Sequence, residues 1–165
     1  MEIIDESYLE SGKAPLYHYT NIWTFFKIIN ENKLKVGIFE NPYLNKKIKV
    51  ISLSRNPNLD LSYYRDDLDT IIELDSNLLK NKNKIIPYDF FIHNRSENKP
   101  KSKISRISPV EFEEILFNDL DNITEYILSV NFIDDAILLP IFSNILPILK
   151  KNNIKILNDG KEITL

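Results

Sequence analysis

The stretch that most restricts how this chain can fold is Leu16-Tyr17-His18-Tyr19-Thr20, an alternating aromatic run that reads as a β-strand and passes at once into a capped helix. Side chains of a strand alternate between its faces, so Tyr17 and Tyr19 share one side while Leu16, His18 and Thr20 share the other. Thr20-Asn21 then offers an N-cap to a helix in which Ile22, Trp23, Phe25, Phe26, Ile28 and Ile29 recur at helical spacing. Asn30-Glu31-Asn32-Lys33 ends it, and Leu34-Lys35-Val36 is an extended exit. His18 thus lies between an apolar residue and a hydroxyl. Taken alone, it reads as a core histidine satisfied by a neighbouring carbonyl.

The remainder of the chain breaks into short pieces. Residues 37–47 hold Gly37, Pro42 and several asparagines and read as a loop. Lys49-Val50-Ile51-Ser52-Leu53-Ser54-Arg55 is a β-branched strand halted by Asn56-Pro57-Asn58, with Ser52 and Ser54 on one side and Ile51 and Leu53 on the other. Asp60 to Asp69, with Tyr63, Tyr64 and Arg65, reads as a loop or a short helix. Thr70 to Asp75 reads as a strand, Ser76 to Leu79 as a turn of helix capped by Asp75 or Ser76, and Lys84 to Tyr88 as a strand with a proline near its end. Residues 93–109 form the one strongly basic segment and read as a solvated loop. Pro109 to Phe117 passes from acidic to apolar, a loop entering a buried strand with Glu111, Glu113 and Glu114 at its mouth. Asp121 to Ile127 suggests a short helix and Ser129 to Ile133 a strand. Asp134 or Asp135 caps a last helical segment to Asn152, interrupted at Pro140 and Pro147; Asn153 to Leu157 is a strand, and Asn158-Asp159-Gly160-Lys161 a hairpin turn into Glu162 to Leu165. Strands mixed irregularly with short helices indicate an α+β fold instead of regular βαβ units. The length of 165 residues fits a single domain, residues 1–165, with a substantial core.

Composition removes several kinds of chemistry. With no cysteine there is no disulfide, thiolate zinc site or cysteine nucleophile, and two histidines argue against a histidine-rich metal site. We therefore expect no metal. The hydrophobic fraction of 43% contains no run long enough to span a bilayer and follows no signal-peptide pattern, so the expectation is a soluble, cytoplasmic protein without a membrane partner. A formal charge of -3 gives no general attraction to nucleic acid or anionic lipid. Three glycines, Gly12, Gly37 and Gly160, cannot build a glycine-rich phosphate loop, and no G-x-S-x-G or H-E-x-x-H pattern is present.

What remains is a metal-free constellation: His18 on the first strand, Ser52 and Ser54 with Arg55 on another, and the Glu111/Glu113/Glu114 cluster at the mouth of a third. In this order the stretches Leu16 to Thr20, Ile51 to Arg55 and Glu111 to Leu116 resemble the ADP-ribosyltransferase superfamily. The resemblance covers roughly residues 16–133 and is nearest to the phage-encoded members and those within polyvalent phage and plasmid proteins. It implies a split mixed β-sheet core with short helices, and NAD as the substrate whose ADP-ribose passes to a host or phage macromolecule, protein or nucleic acid, in the cytoplasm of a bacterium or infected cell.

The resemblance also implies roles. His18 would bond the adenosine-side ribose, with Tyr19 and Thr20 beside it, and Ser52 or Ser54 would support the nicotinamide ribose or orient the glutamate. Arg55 would pair with the pyrophosphate, and Tyr63, Tyr64 and Tyr88 are candidates for stacking on nicotinamide or adenine. Glu113 is the first choice for the carboxylate facing the developing positive charge, Glu114 the competing one, and Glu111 completes the E-x-E arrangement. Adjacent strand residues face opposite sides, so only one of Glu113 and Glu114 enters the site. Two positions depart from the family: Ile115 stands where a basic residue is usual after the acidic pair, and Tyr19 where a glycine is usual near the first strand. The departures leave open a catalytically silent nucleotide-binding or anti-defence module, and the residues alone also allow an unrelated α+β interaction domain.

Overall fold

In the computed structural model, which describes residues 14–41, 46–57, 68–87 and 113–164, the first helix runs over Ile22–Glu31 (α1) and starts and stops for local reasons. The Asn21 side chain accepts from the Thr24 N–H at 2.8 Å, satisfying one of the donors that a helix start leaves bare. Asn32 ends the helix in the left-handed region at φ 49°, donating its N–H to the Ile28 and Ile29 carbonyls. Asparagine enters that region more readily than most residues. Ile22, Phe25, Ile28 and Ile29 form the buried face.

The chain divides into two compact units. One comprises residues 17–34, 60–75 and 120–165. Its strands are β1 (Leu16–Thr20, from Tyr17 onward), β2 (Lys33–Leu34), β5 (Thr70–Leu74), β8 (Leu120–Asp121), β9 (Ile127–Phe132), β10 (Lys155–Asn158) and β11 (Lys161–Glu162). β1 neighbours β5, β5 runs antiparallel to β9, β9 parallel to β10, and β10 antiparallel to β11, so the sheet is mixed. β2 and β8 form a small antiparallel pair of their own.

Phe132 centres the core of this unit. Its ring meets Phe25 of α1 edge-on at 5.8 Å and 67°, and Phe142, the first residue of α3 (Phe142–Lys151), at 5.2 Å and 84°. Such edge-to-face pairs add about 0.5–1.5 kcal/mol each beyond the area they bury. One side chain at the end of β9 therefore couples the sheet to both helices. Two side chains tie the remaining elements together. Asp69 accepts from the Ile22 N–H at the start of α1 and from the Thr70 hydroxyl, both at 2.7 Å, while its backbone bonds Thr20 and Ile133. Asn32 accepts from the Thr124 N–H and hydroxyl, each at 3.0 Å, joining the end of α1 to the 3-10 turn Ile123–Glu125.

The other unit comprises residues 1–16, 35–59 and 76–119. It contains β3 (Gly37–Asn41), β4 (Lys46–Ser54), the helix α2 (Ser76–Lys82), β6 (Ile86–Pro87) and β7 (Glu113–Leu116). β4 is long enough to pair twice, through Lys46–Val50 with β3 and through Ile51–Ser54 with β7, both antiparallel. β6 pairs with β7 in turn.

The α+β class expected from the sequence is what the structure shows, with a mixed sheet and three α-helices among the described residues. The turn at Asp159-Gly160 is a two-residue hairpin loop with both central residues at positive φ, 47° and 76°, the geometry favoured between twisted strands. Other local expectations fail. Residues 37–41, read as loop, are strand β3, because pairing with the long β4 outweighs a weak local preference. The expected helix over Asp121 to Ile127 is reduced to a single 3-10 turn between β8 and β9. Pro140 does separate the 3-10 turn Ala136–Leu138 from α3, but Pro147 lies inside α3 without ending it. Pro147 and Ser143 are both exposed, so water can serve the Ser143 carbonyl that the proline cannot. No helix among the described residues is long and apolar enough to cross a membrane.

Candidate functional site

The serine strand and the acidic strand lie side by side. In the β4–β7 ladder Ser54 is opposite Glu113, Leu53 opposite Glu114, Ser52 opposite Ile115 and Ile51 opposite Leu116. Directly opposed residues of an antiparallel pair share a face, and faces alternate along each strand. Positions 52, 54, 113 and 115 therefore fall on one face and positions 51, 53, 114 and 116 on the other. The two adjacent glutamates are separated by strand parity, and position 113 is the one that shares a face with both serines.

Glu114 is occupied on its own face. Arg55 continues the parity of Ile51 and Leu53, and its Nε donates to Glu114 Oε1 at 2.5 Å. Nη1 donates to the Ala14 carbonyl. Arg55 is 2% and Glu114 4% exposed. Two of the three guanidinium nitrogens are thus engaged inside the protein, while Nη2 is buried without a hydrogen-bond partner among the described residues. An arginine held this way links the end of β4, the start of β7 and the backbone just ahead of β1's first residue. At 2% exposure it is withdrawn from the surface at which an incoming pyrophosphate would have to meet its donors.

The two serines also differ. Ser54 is buried and its Oγ accepts from the Asn56 N–H at 3.0 Å, a local turn that closes the strand before Pro57. Ser52 is half-buried. In the other unit, on β1, Thr20 is buried, and Tyr17, His18 and Tyr19 are half-buried, each with partners. The Thr20 carbonyl accepts from the Asp69 N–H at 3.2 Å. Glu111, Tyr63, Tyr64, Tyr88 and the basic segment lie outside the described residues.

The Arg55–Glu114 pair escaped the sequence reading, which gave the two residues separate roles. The signal for it is the parity of Arg55, shared with Leu53, but parity selects a partner only after β4 and β7 are known to pair and in which register. A second polar row, in the unit that holds β1, was likewise unforeseen. The Ser129 hydroxyl donates to Glu73 across β9 and β5, and Lys155 lies beside Ser129 in the next strand. Lys155 Nζ meets Glu162 Oε2 at 2.8 Å, and the hydrogen bond and negative charge of Glu162, helped by Glu73, hold the Lys155 ammonium above its usual pKa of 10.5. The row braces neighbouring strands. No protein-family model matches the chain, and no curated protein matches it.

Proposed function

We infer that this protein is an NAD-dependent mono-ADP-ribosyltransferase that passes ADP-ribose to a protein or nucleic-acid acceptor. The observation that supports the reading best is the β4–β7 register, which gives position 113 the same face as Ser52 and Ser54 while Arg55 occupies Glu114 on the other. Cleavage of the bond between nicotinamide and ribose develops positive charge on the ribose. A carboxylate that holds the ribose hydroxyl and faces that charge is worth more in the transition state than in the ground state. In this reading Glu113 is that carboxylate. Ser52 orients it or holds the nicotinamide ribose, and Arg55 has no direct part in nucleotide binding.

The test is incubation with NAD labelled in the adenylate moiety and a bacterial lysate, followed by protease or nuclease treatment to locate the label. Wild-type protein transfers label, and Glu113→Gln lowers turnover by about a hundredfold or more while NAD affinity changes little, because the carboxylate's charge acts mainly in the transition state. Absence of both transfer and NAD hydrolysis with every cell fraction refutes the reading. A second reading, a nucleotide-binding or anti-defence module that does not transfer, draws on one feature: Ile115, at the position usually basic in the family, is fully buried in β7. That reading requires NAD to raise the melting temperature without turnover.

A further inference from the structure

We propose that Arg55 is a positioning residue which sets the register of β7, and thereby decides which of two adjacent glutamates shares a face with the serines. The apolar pattern of β7 does not make this choice. Its sequence is Glu113-Glu114-Ile115-Leu116, and Ile115 and Leu116 are buried on opposite faces, 0% and 3% exposed. A one-residue slip exchanges the two faces of a strand and is penalised where it carries apolar residues into solvent; with Ile115 and Leu116 both buried, an exchange of faces does not by itself carry that penalty. A slip of one residue would set position 113 opposite Leu53, 114 opposite Ser52, Ile115 opposite Ile51 and Leu116 opposite Val50. Val50 and Ile51 are both buried and apolar, so Leu116 and Ile115 would again stand opposite apolar residues of β4.

The ion pair does discriminate. Arg55 is almost wholly buried and its charge cannot be left without a carboxylate at acceptable cost. Both of its engaged nitrogens point to fixed places: Nη1 to the Ala14 carbonyl and Nε to Glu114. The guanidinium is therefore held from a second direction and accepts an acid at one position along β7. Whichever glutamate takes that position, the other passes to the face of Ser52 and Ser54. A single buried polar residue fixes register in some coiled coils, and the proposal gives the Arg55–Glu114 pair the same role here.

The register claim stands apart from the transferase reading; only its functional meaning, that Glu113 is the reacting carboxylate, rests on that reading. It is tested by cross-strand nuclear Overhauser contacts in the isotopically labelled full chain. Wild type gives contacts pairing 54 with 113 and 52 with 115. In Glu114→Gln, Arg55 loses its carboxylate and recruits Glu113, so the contacts move by one residue, to 53 with 113 and 52 with 114. Glu113→Gln keeps the wild-type contacts because Glu114 is intact. The proposal is overturned if Glu114→Gln keeps only the wild-type set. Failure of Glu114→Gln to fold overturns it too, because Glu113 then cannot take over the pair. Since these contacts are read without NAD, absence of transferase activity leaves the register result intact, and a register that does not move leaves the Glu113→Gln assay to decide the reaction separately.

Discussion

Replacing Arg55 by methionine removes the guanidinium but keeps an unbranched apolar stem, leaving Glu114, 4% exposed, without the cation it pairs with. Breaking a buried ion pair from one side costs about 3–5 kcal/mol, because the remaining charge is neither solvated nor compensated. The Ala14 carbonyl loses its Nη1 donor as well, which adds about 1 kcal/mol or more. Against a total stability of about 5–15 kcal/mol this is a large fraction. The double variant Arg55→Met/Glu114→Leu should recover most of the loss, since packed apolar residues in place of a buried pair are often neutral or even stabilising by about 1–4 kcal/mol. Urea denaturation followed by far-ultraviolet circular dichroism measures both, and the cycle with Glu114→Leu alone isolates the coupling. Glu114→Gln should cost less than Arg55→Met, because Glu113 can replace the missing carboxylate whereas the described residues hold no second arginine to replace Arg55. An Arg55→Met variant within about 1 kcal/mol of wild type, or a double variant less stable than both single ones, refutes the account of this pair.

Three further outcomes follow from the unit built on α1 and β9. Phe132→Leu keeps apolar bulk but loses two edge-to-face contacts and should cost about 1–3 kcal/mol by urea titration, whereas Phe132→Ala should cost about 3–5 kcal/mol. Asp69→Ala strips acceptors from the Ile22 N–H and the Thr70 hydroxyl and should lower stability by about 1–3 kcal/mol, with Asp69→Asn intermediate. Lys155 has a raised pKa in the folded chain, so its contribution is fully present below pH 10.5 and disappears as pH rises through the higher folded value; an NMR titration of its ζ position with a midpoint at or below 10.5 contradicts the Glu162 pairing.

How much of this was legible in the sequence depends on the distance over which each feature is decided. The cap at Asn21, the stop at Asn32 and the Asp159-Gly160 turn are set by neighbours within a few residues, and each reads directly from the chain. β3 does not, because Gly37 to Asn41 become strand only through pairing with β4. The same limit applies to side chains with two duties. Asn32 is readable as a helix stop, but its bonds to Thr124 span 92 positions, and Asp69 caps α1 from 47 positions away. Local chemistry names the polar group and leaves its partner undetermined.

The candidate site shows the limit most sharply. Strand parity alone says that Glu113 and Glu114 cannot share a face; the preference for Glu113 came from the E-x-E resemblance, and parity gave no reason to put it with the serines. The choice requires that β4 and β7 run antiparallel and that Ser54 faces Glu113, both of which are relations between segments 59 positions apart. Arg55 carries the missing information, since it has the parity of Leu53 and a buried arginine needs an acid on its own face. A basic residue directly after a hydroxyl-bearing strand looked like a ligand for phosphate when taken alone. Beside a doubled acid whose register the apolar residues leave undecided, the same arginine has a different use: it occupies one carboxylate so that the other takes the opposite face. Loss of activity in Glu114→Gln would consequently be no proof that Glu114 reacts, because that substitution is expected to draw Glu113 away from Ser52 and Ser54. Kinetic assignment of the glutamate therefore has to be read together with the strand register of each variant.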